Sequence, residues 1–395
     1  VGKRLILLLA GALILSGVSR GSPVLTGEFR SDYYMYQDAL EQDRFIFNQT
    51  LHGRLAPKSW NGWNVNFLGE LRDANNPVEG IDEGRLLGLS LAGKIGPAAL
   101  MMGRITPHTP GPSMLDGLEA SYPFGGVKLT VAGGQEVYSL RRISTSELPE
   151  RYRVGGVVEG TIMGKMKWQV DHATRLLSSE VDDQTTGIAL RCRRFAKFGW
   201  DARLNYDMKA STPREMAFGV RLTPFSNLRV DLRYSVRAIR IYQESFLSQF
   251  TLEPTKLALV KARYHLQSQG LWIGLGYTRR LREEGDLDRV SASVSSDHGE
   301  LGLRYQAGTD LNNIGGWVEA NGKLATHLDW AVSVDFDQWD SAWDAETVEA
   351  WANSATLSYE LSPVALVEGR LEHYRDEVVN SDIRGLITFK IRYGI

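Results

Sequence analysis

The chain has a single cysteine, Cys192, so it cannot close a disulfide on itself, attach c-type haem or build an all-cysteine metal site. Net charge is nearly absent. The 45 Lys and Arg stand against 47 Asp and Glu, which leaves −2 and no electrostatic footprint for nucleic acid. Histidine is scarce, at seven in 395 residues. Beyond the N-terminus no apolar run reaches the roughly 18 residues of a membrane-crossing helix. With 43% hydrophobic residues and so little net charge, the chain is not disordered. What is abundant is glycine, with 40, and aromatic residues, with 13 Phe, 10 Trp and 15 Tyr.

The chain begins Val1-Gly-Lys-Arg, continues as an apolar run from Leu5 to about Val18, and then reads Ser-Arg-Gly-Ser-Pro. A basic start, a short apolar stretch and a small-residue exit are the anatomy of a secretory signal, and the run is too short to span a bilayer. Residues 1–22 are therefore read as a cleaved signal peptide, with Gly17 and Ser19, or Gly21 and Ser22, before the cut. No cysteine follows, so no lipoprotein anchor is expected. Residues 23–395 are read as one unit. An exported chain without apolar helices is either soluble or crosses the membrane as a closed β-barrel.

Hydrophobicity has a period of two almost throughout. Leu228, Val230, Leu232, Tyr234 and Val236 alternate with Arg229, Asp231, Arg233, Ser235 and Arg237. Leu328, Trp330, Val332, Val334 and Phe336 alternate with Asp329, Ala331, Ser333, Asp335 and Asp337. Such alternation specifies strands with one apolar and one wet face. Short connections are expected near 56–60, 93–97, 123–126, 163–165, 194–199, 223–227, 267–270, 295–300, 323–327 and 362–363. Longer, more charged ones are expected near 37–43, 73–84, 107–112, 136–151, 176–184, 209–213, 239–255, 281–287, 307–313, 338–346 and 374–381. The two kinds alternate along the chain. Short turns on one side and longer loops on the other are the signature of a transmembrane barrel. The prediction is an all-β, single closed antiparallel barrel of about 22 strands (range 18–22), with both termini on the turn side and no plug domain.

Aromatics gather near predicted strand ends, as two interfacial girdles require. Trp60, Trp63, Phe195, Phe198, Trp200, Phe225 and Tyr393 lie near the short turns. Tyr33, Tyr36, Tyr138, Tyr152, Phe336, Trp339 and Trp343 lie near the loops. A propeller would show recurring blades, and none recur.

The mature chain resembles the outer-membrane β-barrel proteins of Gram-negative bacteria, a resemblance of pattern over its whole length. The final strand, Arg384-Gly-Leu-Ile-Thr-Phe-Lys-Ile-Arg-Tyr-Gly-Ile395, looks like the terminal strand read by the barrel-assembly machinery, except that Ile395 stands where the class has Phe or Trp. The resemblance implies contact with outer-membrane lipid and lipopolysaccharide.

On the wet face, Arg191, Arg193, Arg203, Arg221, Arg229, Arg233, Arg237, Lys261 and Arg263 form a basic sector. Glu319, Asp329, Asp335, Asp337, Glu360, Glu368 and Glu372 form a later acidic one. Opposed sectors would set a transverse field across a lumen, or pair off into a neutral ladder. A barrel of 22 strands is wide, and plugged transporters of that size fill the space. The expectation is a non-enzymatic conduit for small solutes. The alternative is a sleeve around a multihaem cytochrome, resembling known porin–cytochrome conduits, with all haem in the partner. A rim hydrolase is a third class, but no motif frames His108, Ser113 and Asp116, and the pleat separates Asp171 from His172. The acidic pairs Asp182-Asp183 and Glu283-Glu284 read as solvated loop residues, or as a divalent-ion site at lipopolysaccharide. Cys192 points outward by parity, as an apolar filler.

Overall fold

The computed structural model describes residues 25–37, 43–74, 84–109, 114–137, 151–195, 197–238, 254–282, 285–308, 312–340, 347–376 and 381–394. Residues 1–22, read from the sequence as a signal peptide, lie outside them, as do Tyr138, Trp343 and Glu283-Glu284. The first eleven strands are β1 (Leu25–Gln37), β2 (Asp43–Leu55), β3 (Asn64–Ala74), β4 (Gly84–Ile95), β5 (Ala98–Ile105), β6 (Met114–Phe124), β7 (Val127–Val137), β8 (Arg151–Ile162), β9 (Met166–Leu177), β10 (Glu180–Phe195) and β11 (Phe198–Asp207). They continue as β12 (Thr212–Phe225), β13 (Leu228–Arg237), β14 (Thr255–Leu266), β15 (Leu271–Leu281), β16 (Leu287–Ser296), β17 (Gly299–Gly308), β18 (Asn313–Ala325), β19 (Leu328–Asp340), β20 (Thr347–Ser362), β21 (Ala365–Arg375) and β22 (Asp382–Gly394).

Each strand pairs antiparallel with the next, and β1 pairs with β22 from Thr26↔Gly394 to Met35↔Gly385. The ring is therefore closed at 22 strands, and the predicted class and count hold. At about 4.8 Å between strands and a tilt of about 40°, such a wall is about 44 Å across. No helix among the described residues is long and apolar enough to cross a membrane.

Directly opposed residues share a face, so the registers can be followed around the ring. Asp32 opposes Thr388, Thr388 opposes Glu368, and Glu368 opposes Ser358. This face carries most of the strand charge. Charged side chains described on the other face are Asp43, Arg104, Asp116, Lys256, Arg279, Asp288, Glu349 and Arg375, all within three residues of the loop-side strand ends. A lipid-facing band must be free of charge, so the charged face is the lumen and the apolar band lies toward the turns.

The turn-side aromatics are built on glycines of the adjacent strand. A Cβ at Gly93 would fall inside the Trp63 ring, one at Gly160 against Trp168, one at Gly322 against Trp330, and one at Gly27 against Tyr393. Each ring thus lies flat on the outer wall near a turn, as an interfacial girdle residue does. The turns are tight. Gly125 and Gly126 both have positive φ, which the primed hairpin turn demands.

Three expectations need correction. The connection expected as a loop over 176–184 is a two-residue turn at Ser178 and Ser179, both at positive φ, and the strands run on either side of it. Trp339 opposes Asn313 and Val348, and Tyr36 opposes Arg44, so both face the lumen rather than the lipid interface. They lie near loops, as expected, but the pleat and not proximity to a strand end decides the face.

Candidate functional site

The basic sector is brought together on the lumen faces of β10–β14. Arg191 opposes Asp201, Arg203 opposes Ala217, Arg221 opposes Asp231, Arg229 opposes Arg263, and Asp231 opposes Lys261. Acids neutralise part of it. Arg221 and Arg229 each donate to Asp231 at 2.7 Å, and Arg203 lies 3.3 Å from Glu215. Lys167, Arg191, Arg233, Arg237, Lys261, Arg263, Arg280 and Arg289 have no acid in ion-pair reach among the described residues. The acids on the same wall without a cation at that distance are Asp171, Glu180 and Asp201. The wall from β9 to β16 therefore carries excess positive charge facing water. The side chain of Arg193 lies outside the described set.

The acidic sector behaves differently. Arg304, which sequence reasoning missed, is held by both Asp335 and Asp337, with Nε 2.8 Å from Asp337. Lys323 pairs with Asp329 at 3.5 Å, Arg370 with Glu372 at 2.7 Å, and His327 lies 3.8 Å from Glu360. Glu368 accepts from Ser358 at 3.3 Å, and Glu319 opposes Ser333. Four of the seven acids thus meet an arginine or lysine, two of them sharing Arg304, while Glu319, Glu360 and Glu368 have neither in reach among the described residues, so the sector is partly paired and stays net negative.

A third cluster lines the loop-side lumen between β6 and β12. Glu136 accepts Nε of Arg153 at 2.9 Å and Nε of Arg175 at 2.8 Å, and Arg175 continues to Asp182. Arg214 pairs with Asp183 at 2.5 Å and donates Nε to Asp207 at 2.7 Å. Arg153 and Arg175 are only 1% and 2% exposed. Asp182 and Asp183 are thus buried partners on a strand, neither solvated loop residues nor an ion site. No group of potential metal ligands is assembled among the described residues. Removing one partner from so buried a network costs about 3–5 kcal/mol.

After β5 the chain turns inward. The His108 N–H donates to Glu119 Oε2 at 2.6 Å, the His108 ring Nδ1 lies 2.7 Å from Oε1, and buried Thr109 sits against lumen-facing Gly155. Asp116 lies on the opposite face, bonded to Arg104 Nε at 2.9 Å, so His108 and Asp116 do not form one catalytic group. Ser113 lies outside the described residues. Asp171 and His172 occupy opposite faces, as the pleat requires.

Among the interface aromatics, Tyr33 opposes Phe47 and Ile387, Trp200 opposes Cys192 and Val220, and Tyr393 opposes Gly27, all on the outer face. Trp60 lies in a short 3-10 turn (Lys58–Trp60) between β2 and β3. On the outer rim, Asp286 accepts Arg279 Nε at 3.0 Å, and that contact holds its carboxyl below the usual carboxylate range.

A closed 22-strand wall with an apolar belt, a flat aromatic girdle and a charged interior is a β-barrel of the outer-membrane kind. Several known structures are similar to it in fold. The P pilus usher (PapC) translocation pore is similar over 94% of this chain and 99% of its own, with a TM-score of 0.51 at 10% identity. OccK7 (OpdD) of Pseudomonas aeruginosa matches over 94% and 98%, at 0.46 and 13% identity. Wzi of Escherichia coli, a carbohydrate-binding barrel involved in group 1 capsule assembly, matches over 95% and 85%, at 0.46 and 9% identity. At these identities the likeness is one of fold. No protein-family model and no curated protein matches the chain.

Proposed function

We propose that the chain is an outer-membrane conduit for small solutes, with a preference for anions. The observation that carries this reading is the cationic wall of β9–β16, where eight lysines and arginines have no acid in ion-pair reach among the described residues. A pore lined by excess fixed charge concentrates counter-ions and repels co-ions. The reading involves no catalysis and no cofactor in this chain. Its partners are bilayer lipid, lipopolysaccharide and, through β22, the assembly machinery. The test is the reversal potential of the purified barrel in a planar bilayer under a salt gradient. Anion-selective conductance supports the reading, and cation selectivity or a silent barrel contradicts it.

Width favours a second reading. A wall about 44 Å across leaves room that other barrels of 22 strands fill with a plug. A sleeve around a multihaem cytochrome partner would use that room, with the haem entirely in the partner. Haem co-purifying with the barrel from its native membrane, and electron transfer across liposomes only with the partner present, would favour it.

A further inference from the structure

We infer that the lumen recess between β14 and β18 binds sugar acids, that is, pyranoses carrying a carboxylate. The inference rests on the channel reading and names the class of solute that its wall would hold. The recess is lined by Lys261, Arg263, Arg280, Arg289 and Trp317 around a strip of glycine and serine.

Trp317 is not an ordinary lumen side chain. A Cβ at Gly302 would fall within its indole, so the ring lies across the wall instead of standing out from it. Its Nε1 donates to Glu300 at 3.2 Å, and the Arg304 guanidinium lies 6.0 Å from the ring centroid. The ring is thus fixed by one face against glycine and by its edge, and, partly exposed, it lines the recess. A fixed aromatic face is the surface on which the C–H side of a sugar ring packs.

Beside it, Ser293 and Ser291 lean their hydroxyls over Gly274 and Gly276 of the adjacent strand. Neither hydroxyl has a hydrogen-bond partner among the described residues. The glycines leave a groove where side chains would otherwise fill the wall, and the hydroxyls offer neutral bonds to ring hydroxyls. The four cations have no ion-pair partner among the described residues, and a guanidinium matches a carboxylate in planar, two-bonded geometry. An inorganic anion would need the cations alone, and a neutral sugar would need only the ring and the hydroxyls. A sugar acid uses all three.

The test is calorimetric titration of the folded barrel in detergent with glucuronate, glucose, acetate and benzoate. Glucuronate is expected to bind at least tenfold more tightly than glucose or acetate. Trp317→Ala and Ser291→Ala/Ser293→Ala are each expected to weaken it about tenfold, while heat-modifiable gel mobility shows that the variants remain folded. Trp317→Phe, which keeps an aromatic face, should retain most of the binding. Glucuronate binding no tighter than acetate, variants that bind like wild type, or benzoate binding more tightly with indifference to the serines would each overturn the inference. Anion-selective conductance alongside any of those results leaves the channel reading standing. Glucuronate binding by a barrel that does not conduct would support the subsite and sink the channel.

Discussion

Arg304 of β17 donates Nε to Asp337 of β19 at 2.8 Å, reaching across Gly315 of the strand between them. A Cβ at Gly315 would collide with both partners, so the glycine is the gap through which the bridge passes. A one-atom vacancy on β18 therefore lets β17 and β19 be bridged across the strand between them.

Gly315→Val should break that bridge, leaving Asp335 and Asp337 side by side without their cation. Loss of charge-assisted hydrogen bonds predicts about 1.5–3 kcal/mol of destabilisation. Gly369, with open space where its Cβ would stand, is the control and should accept alanine with little effect. The temperature at which the barrel loses its compact gel mobility would read the difference. Equal shifts for both variants would refute the gap.

Neighbouring residues of β14 test the assignment of faces. Val260 faces lipid and Leu259 faces the lumen. Val260→Arg should cost about 2–4 kcal/mol near the bilayer midplane. Leu259→Arg should fold normally in vesicles. Denaturant midpoints for refolding into lipid would show it, and a reversed order would invert the barrel.

Arg233→Glu with Lys261→Glu should move the reversal potential toward cation selectivity, because both cations stand unpaired on the lumen wall. The same reversal at Arg304 would break its bridges to Asp335 and Asp337 and should act chiefly on stability. If selectivity is unmoved by the first pair, the fixed charges of β9–β16 do not control the ion path.

Much of this architecture was legible from pattern alone. Alternation placed the wet face of β13 and β19, and the turn positions followed where the alternation broke. The basic residues from Arg191 to Arg263 were found because they repeat at every second position. Trp339 and Tyr36 were misplaced because nearness to a loop was weighed above parity, although Asp335 and Asp337 already put Trp339 on the lumen face. A ladder of ion pairs was foreseen as an alternative, but the place of Arg304 in it was hidden because Arg304 is distant in sequence, 31 and 33 residues from its partners. The Glu136–Arg153–Arg175 network was hidden for the same reason, since only register across three strands assembles it. Asp182 looked like a loop acid because two serines make a turn where a longer loop was expected.

The central claim is that one face of this wall is wet and basic and the other meets lipid. In a Cys192→Ser background, single cysteines at Leu232 and Arg233 of β13 sit one residue apart on opposite faces. A membrane-impermeant thiol reagent applied to the barrel in vesicles is expected to label position 233 and spare position 232. Equal labelling of both, or labelling of 232 alone, would contradict the account.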